Sequence, residues 1–374
     1  MTWLRISAVD AWFFRDGRPY TQGETSQSDV TSLFPPSPLT ISGALRAALA
    51  RANGWDGKPM GWTPVHLDML GRGPEETGKL SFRGPFLSRE GSQLFPLPLH
   101  LLVREGRQFA LVAPAASTAC DLGHAVHLPQ PGAADRQHID WKRPAESFLT
   151  AQGLDRVLAG KLPQPDELIA ASHLRILEPR IGLKRDAYNH ATGDEGDLYS
   201  PVYVRLAEKG HDVSLLVEVR GEPSGWQWPK LIPFGGESRM AALEPIPKPP
   251  AVPRYCNGSE VLLLCLTPLR LPLSGHTPIR PLPGRAFFAS LGIDDLELVS
   301  ACTDRPVMIG GWDSQAPGPL PLRPCLPAGT VLFCRASGDA TTRLQNLVDI
   351  GLGADARLGF NQFTLGVWPS FPAT

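Results

Sequence analysis

The stretch FPPSPLTISGALRAALARANG, from Phe34 to Gly54, admits one local structure, and the rest of the chain has to be arranged around it. Pro35 and Pro36 stiffen the approach. The Ser37 hydroxyl can accept from the free N–H groups of a first helical turn, and Pro38 stands at the first helical position, where its missing N–H costs nothing. Ile41, Ala44, Leu45, Ala48 and Leu49 recur at helical spacing, Arg46 and Arg51 lie off that face, and Asn53-Gly54 supplies a left-handed stop. Upstream, Thr2 to Phe14 is a short apolar segment closed by Trp12, Phe13 and Phe14, which reads as a buried strand. Arg15, Asp16, Gly17, Arg18 and Pro19 follow as a tight turn that puts two guanidinium groups at the strand's exit.

A chain of 374 residues is too long for one ordinary core, and about 150 residues per domain implies two. The run EPIPKPPAVP, Glu244 to Pro253, can propagate neither a helix nor a central strand, so it reads as an extended linker between domains at 1–250 and 251–374. A formal net charge of −1 excludes a diffuse basic field, so any polyanion must be held by local clusters. The six cysteines include no CxxC pair, which leaves reduced core thiols rather than a zinc ribbon or redox motif. There is no run of about 18 apolar residues, and MTWLRISAVD lacks the pattern of a signal peptide. A cytoplasmic protein without a membrane partner is expected.

Further strands are expected at Ser81 to Leu87, Val213 to Val219, Val261 to Leu266, Gly329 to Arg335 and Phe360 to Trp368. Leu94 to Val103 and Gln108 to Pro114 should form a hairpin, Asp166 to Ala171 a short helix, and Ala340 to Ile350 a longer one. Leu174 to Leu183 and Leu198 to Leu206 bracket a tip rich in Gly, Asp and Asn, the pattern of a long protruding hairpin. Its first arm is basic, with Arg175, Arg180, Lys184 and Arg185 against Glu178 and Asp186. Three glycine turns stand near arginine or tryptophan: Gly235-Gly236 before Arg239, Gly310-Gly311 before Trp312, and Gly351, Gly353 and Gly359 around Arg357. The last is no P-loop, since no Lys-Ser/Thr pair follows it. It also runs from helix to strand, the reverse of the dinucleotide fingerprint, so nucleotide hydrolysis is not expected.

Cys120, Asp121, His124, His127, His138 and Asp140 combine soft sulfur, imidazole and carboxylate donors at close spacing, a zinc set in principle. Their Pro-rich intervening loop and non-standard spacing favour a strand edge and loop instead.

Taken in order, FFRDGRPY, FPPSPLTISGALRAAL, EPRIGLKRDAYNHATGDEGDLYS, FGGESR, IGGWD and the final G-L-G-x5-G-F loop resemble the RAMP-superfamily subunit three of the Cmr (type III-B) CRISPR effector complex. The resemblance implies an α+β fold of two ferredoxin-like domains of the RRM type, with a β-hairpin thumb at about 173–206 and the glycine-rich loop near the C-terminus. It implies no catalytic activity, no cofactor and no metal. The implied role is to hold the 5′ handle of the CRISPR RNA at the foot of the complex. Its neighbours there would be the large polymerase-cyclase subunit and a backbone RAMP subunit, with target RNA engaged indirectly.

The RNA contacts so implied fall on Arg15 and Arg18 of the basic turn, Ser42, Gly43 and Arg46 of the helix, and Arg180, Lys184 and Arg185 of the hairpin arm. Gly235, Gly236 and Arg239 of the second turn and Gly351, Gly353 and Arg357 of the last loop complete them. They are expected to converge on one RNA path, with arginines and backbone N–H groups meeting phosphates. The alternative is a RAMP endoribonuclease that cuts repeat RNA with His138, His173 or His190 as general acid or base; no histidine precedes His66.

Overall fold

The computed structural model describes residues 1–15, 29–58, 60–104, 108–120, 123–183, 198–206, 212–256, 258–270, 284–313 and 318–371. These divide into two compact units, neither continuous in sequence. The class is α+β with mostly antiparallel sheets; Asp29–Val30 pairs parallel with Ser200–Pro201.

The first unit comprises Met1–Gly91, Ser172–Lys248 and Met308–Arg323. Its main sheet runs Leu231–Pro233, Met240–Ile246, Thr2–Ala8, Val213–Arg220, Ser81–Arg89, so the N-terminal strand is central, with Leu4 opposite both Val217 and Pro245. Leu4, Ile6 and Val217 on that strand pair are fully buried. The expected helix forms over Pro38–Ala52, its Ser37 side chain accepting from the Thr40 N–H at 3.2 Å. Ile41, Leu45, Ala48 and Leu49 are buried, and the helix packs on the strands Leu231–Pro233 and Ser81–Arg89. Gly54, at φ +102, makes the turn out.

The hairpin lies in the same unit. Arg175–Pro179 pairs antiparallel with Leu198–Leu206, from Arg175 opposite Leu206 to Pro179 opposite Val202, and Gly182 meets Tyr199. Trp12 pairs with Val204, so the exit of the first strand is stitched to the hairpin's return arm. Residues 184–197 lie outside the described residues, and with them Lys184, Arg185 and His190.

The second unit comprises Ser92–Ala171, Pro249–Val307 and Pro324–Thr374. Its central sheet runs Leu296–Cys302, Val331–Ala336, Glu260–Cys265, Phe363–Gly366, with Leu263 opposite Leu332 and Leu365. Leu263, Phe288, Leu332, Leu344 and Leu365 belong to one buried cluster under it.

Several expectations need correction. A single cut at 250 matches only one of the crossings between units, because 92–171 packs with the later sequence and 308–323 returns to the first unit. Asp166 to Ala171 is not a helix: Leu168–Ala170 is a strand paired with Ser147–Leu149, flanked by single helical turns. The helix beginning at Ala340 ends at Leu347, which leaves Ile350 57% exposed beyond it. Two helices carried too short an apolar pattern to be anticipated. Pro64–Leu70 is closed by a reciprocal Thr63 and His66 cap, and Ala151–Leu158 is capped by Thr150.

Candidate nucleic-acid groove

The residues that open the candidate site are aromatic. Trp12 stacks edge-on against Phe234 at 4.9 Å and Phe14 does so at 5.3 Å, while the Trp12 indole donates to the Met240 carbonyl at 3.2 Å. This cluster fixes the exit of the first strand against the turn that carries Gly235, Gly236 and Arg239. Gly235 has φ +83, and a Cβ there would come within 2.5 Å of the Phe13 carbonyl oxygen, which also accepts from the Gly236 N–H at 2.8 Å. Gly235 is therefore required by close backbone packing, whereas a Cβ on Gly236 would meet the Phe13 side chain at 3.0 Å. Arg15 emerges directly after, exposed, held by the Phe14 carbonyl accepting from the Leu33 N–H at 2.8 Å.

Beside this corner the first unit contains a groove of about 930 Å³. Arg15, Gly43, Gly235, Gly236 and the Gly310-Gly311 corner all line it, bringing together four motifs scattered along the sequence. Gly43 has open space where a Cβ would stand. Ser42 does not join it, being fully buried with its hydroxyl donating to the Leu39 carbonyl.

Arg46 touches the groove wall but has another task. Only 4% exposed, it donates from Nε to the Leu70 carbonyl at 2.6 Å and from its terminal nitrogens to the carbonyls of Gly73 at 2.8 Å and Gly71 at 3.4 Å. Burial lowers its guanidinium to about 10, against the opposing pull of Glu76 and Asp313. The expectation of a phosphate contact gives way to a staple that holds the loop after Leu70.

Arg180 and Arg239 are likewise occupied. Their guanidiniums lie 4.7 and 4.5 Å from the centre of the Tyr203 ring, and both pair with Asp10, at 3.5 and 3.2 Å. Arg205 joins Asp10 at 2.8 Å and Glu178 by a shorter contact. The hydrogen bond from Arg205 holds the Glu178 carboxyl below its ordinary value against the burial that raises it, and correspondingly raises Arg205. These charges lock the base of the hairpin to the strand exit.

The groove's other cation escaped the sequence reading. Arg51 lines it with its guanidinium 4.9 Å from the Trp55 ring, and Trp55 meets Trp62 edge-on at 6.1 Å. Among the described residues, neither Arg15 nor Arg51 is ion-paired. The missed signal was two tryptophans, each followed or preceded by glycine, in a segment whose loops suggested no element. Arg18 lies outside the described residues.

In the second unit the glycine-rich loop is built from its own parts. Gly351 at φ +95 leaves no room for a side chain, since a Cβ would stand 2.7 Å from that of Ala356. Gly353, at φ 68 and ψ −175, occupies backbone space open essentially to glycine alone. Asn361, unmentioned by any motif, clamps the loop: its Oδ1 accepts from the Arg270 N–H at 2.7 Å and its Nδ2 donates to the Leu352 carbonyl at 2.8 Å. Arg357 is exposed on the short turn Ala354–Leu358.

Among the described residues no group of three or more His, Cys, Asp or Glu is placed to hold a metal. Asp121 and the His124 side chain lie outside those residues, and the His127 ring contacts the Ala115 carbonyl at 2.7 Å.

The family model described as CRISPR-associated protein (Cas_Cmr3) matches residues 4–368. A subunit in a structure of the type III-B Cmr-beta complex bound to cognate target RNA and AMPPnP aligns over 98% of this chain and 100% of its own, with 17% identity and a TM-score of 0.51. A second structure of that complex, bound to cognate target RNA, contains a chain aligned over 96% of both lengths at 18% identity and a TM-score of 0.49. No curated protein matches the sequence.

Proposed function

The chain belongs to the Cas_Cmr3 family of CRISPR-associated proteins, and on that premise we propose that it is an RNA-binding, non-catalytic subunit of a type III-B effector complex. Its work is to hold the 5′ handle of the CRISPR RNA beside the large polymerase-cyclase subunit and a backbone RAMP subunit in the cytoplasm, with target RNA engaged only indirectly. Its two units are read as ferredoxin-like domains, with the hairpin at about 173–206 as a thumb.

The observation that supports this reading is the groove. Motifs beginning at Phe13, Phe34, Phe234 and Ile309 are far apart in sequence, yet each sends a residue to it. The chemistry suits a single-stranded polyanion. Exposed Arg15 and Arg51 can meet phosphates, glycine turns allow backbone approach, and tryptophans offer faces to bases. The glycine-rich loop with Arg357 supplies a second contact in the other unit.

The test is binding of labelled single-stranded handle RNA to the full chain at several salt concentrations. Arg15→Ala or Arg51→Ala should weaken binding and lower the slope of log K against log salt by about 0.7, one phosphate contact of a single strand. Wild-type affinity and slope in both variants would remove the groove from the RNA path. Incubation with repeat RNA should yield no cleavage; a discrete product lost in His138→Ala or His173→Ala would favour the endoribonuclease.

A further inference from the structure

Eight of the nine tryptophans are buried or half-buried, and Trp312 alone is exposed, at 63%. Among the described residues its indole touches no other aromatic ring and makes no hydrogen bond, whereas its backbone is paired. Trp312 pairs with Pro319, and the Leu320 N–H donates to the Gly311 carbonyl at 2.9 Å. The two preceding glycines let this corner fit closely: a Cβ on Gly311 would lie 3.1 Å from the Leu320 side chain and 3.8 Å from that of Leu39 on the capped helix. The exposure thus belongs to a backbone-paired corner. Met308 and Leu322, each 42% exposed, flank it, and all three line the groove that carries Arg15 and Arg51.

Exposed apolar surface of this kind marks a binding face. Its chemistry here points to a nucleobase. A flat indole with no polar partner among the described residues asks only for a π face, which every base has, and Arg15 and Arg51 in the same groove would hold the flanking phosphates. We infer that Trp312 is the stacking platform for one unpaired base of the bound RNA, a positioning contact for the strand rather than a phosphate contact. The inference rests on the groove being an RNA path. Trp312 then contributes affinity that depends on bases being present and is insensitive to salt, in contrast to Arg15 and Arg51.

The experiment compares full-length wild type, Trp312→Ala and Trp312→Phe on three labelled strands of about 12 nucleotides, a length within the range such grooves cover: oligoadenylate, oligouridylate and an abasic ribose-phosphate strand. Trp312→Ala should bind the two base-bearing strands about ten- to a hundredfold more weakly, the size of one base–aromatic stack. Its salt slope should stay unchanged, it should bind the abasic strand like wild type, and Trp312→Phe should recover most of the loss. Because the indole is mostly in water, the thermal midpoint of Trp312→Ala should match wild type, which separates lost stacking from lost fold. Unchanged binding of base-bearing RNA by Trp312→Ala, in a protein whose arginine variants still weaken it, overturns the stacking role and leaves the RNA path intact. Wild type that binds base-bearing and abasic strands equally well also overturns it. Wild type that binds none of the three overturns both readings, and the exposed corner is then a surface for another protein.

Discussion

At the scale of single residues, the arginines sort by what surrounds them rather than by the motif they sit in. Arg46 is surrounded by carbonyls that lose their partner if it is removed. Arg46→Ala should destabilise the protein by about 2–4 kcal/mol in urea unfolding, and Arg46→Lys should not rescue it, since one ammonium cannot span the carbonyls a planar guanidinium reaches. Little change in the unfolding midpoint would return Arg46 to the ligand-binding list. His100 offers a different test. It is fully buried against Phe333, with ring centres 6.0 Å apart, and neither ring nitrogen has a partner among the described residues. Burial depresses it from 6.5 to about 3. The unfolded chain therefore takes up a proton at His100 that the fold refuses, so this contribution is intact above pH 6.5 and is lost as pH falls toward 3. The loss is about 1.4 kcal/mol per pH unit, or about 2 kcal/mol between pH 6.5 and pH 5. His100→Phe should flatten that part of the stability profile; an unaltered profile would show that His100 is solvated.

At the scale of elements, legibility followed the reach of the interactions. The helix at Pro38–Ala52 was readable to within a residue or two because its cap, its first proline and its apolar stripe all act over one or two turns. The hairpin arms were readable because two β-rich stretches flank a segment rich in Gly, Asp and Asn, and Arg175–Pro179 does pair antiparallel with Leu198–Leu206. Asp166 to Ala171 was misread because Leu168–Ala170 extends only by pairing with Ser147–Leu149, a partner some twenty residues away that its own composition does not name. The same holds for the role of the hairpin's basic arm. Arg180 is tied to Asp10 and stacked on Tyr203, and nothing in the local charge pattern announces a carboxylate 170 residues earlier.

At the scale of the whole molecule, the two units exchange segments. A fragment ending at 250 carries 92–171 without the strands that accompany it and lacks the 308–323 segment. Fragments 1–250 and 251–374, expressed separately, should each lack a cooperative unfolding transition, whereas the full chain should show one or two; a sharp transition in the isolated 251–374 fragment would restore the simple boundary. The proline run marks a true crossing between units, yet proline content reports only that the chain is extended there, and carries no information on which earlier segment the later one packs against.

The capped helix, the strand at Thr2–Ala8, the hairpin arms and the glycine turns were legible in the residues alone, since each rests on backbone preferences acting over a few residues. The sequence also carried the family resemblance, because that lies in ordered motifs. Long-range packing sets which of those motifs meet. Arg15, Gly43, Gly235 and Gly311 share one groove, while Ser42, Arg46, Arg180 and Arg239 are spent on a buried hydroxyl, a loop staple and an ion-pair lock. The physical reason is that an arginine's function is set by burial and by the partners within a few ångströms of its guanidinium, and those partners arrive from distant parts of the chain.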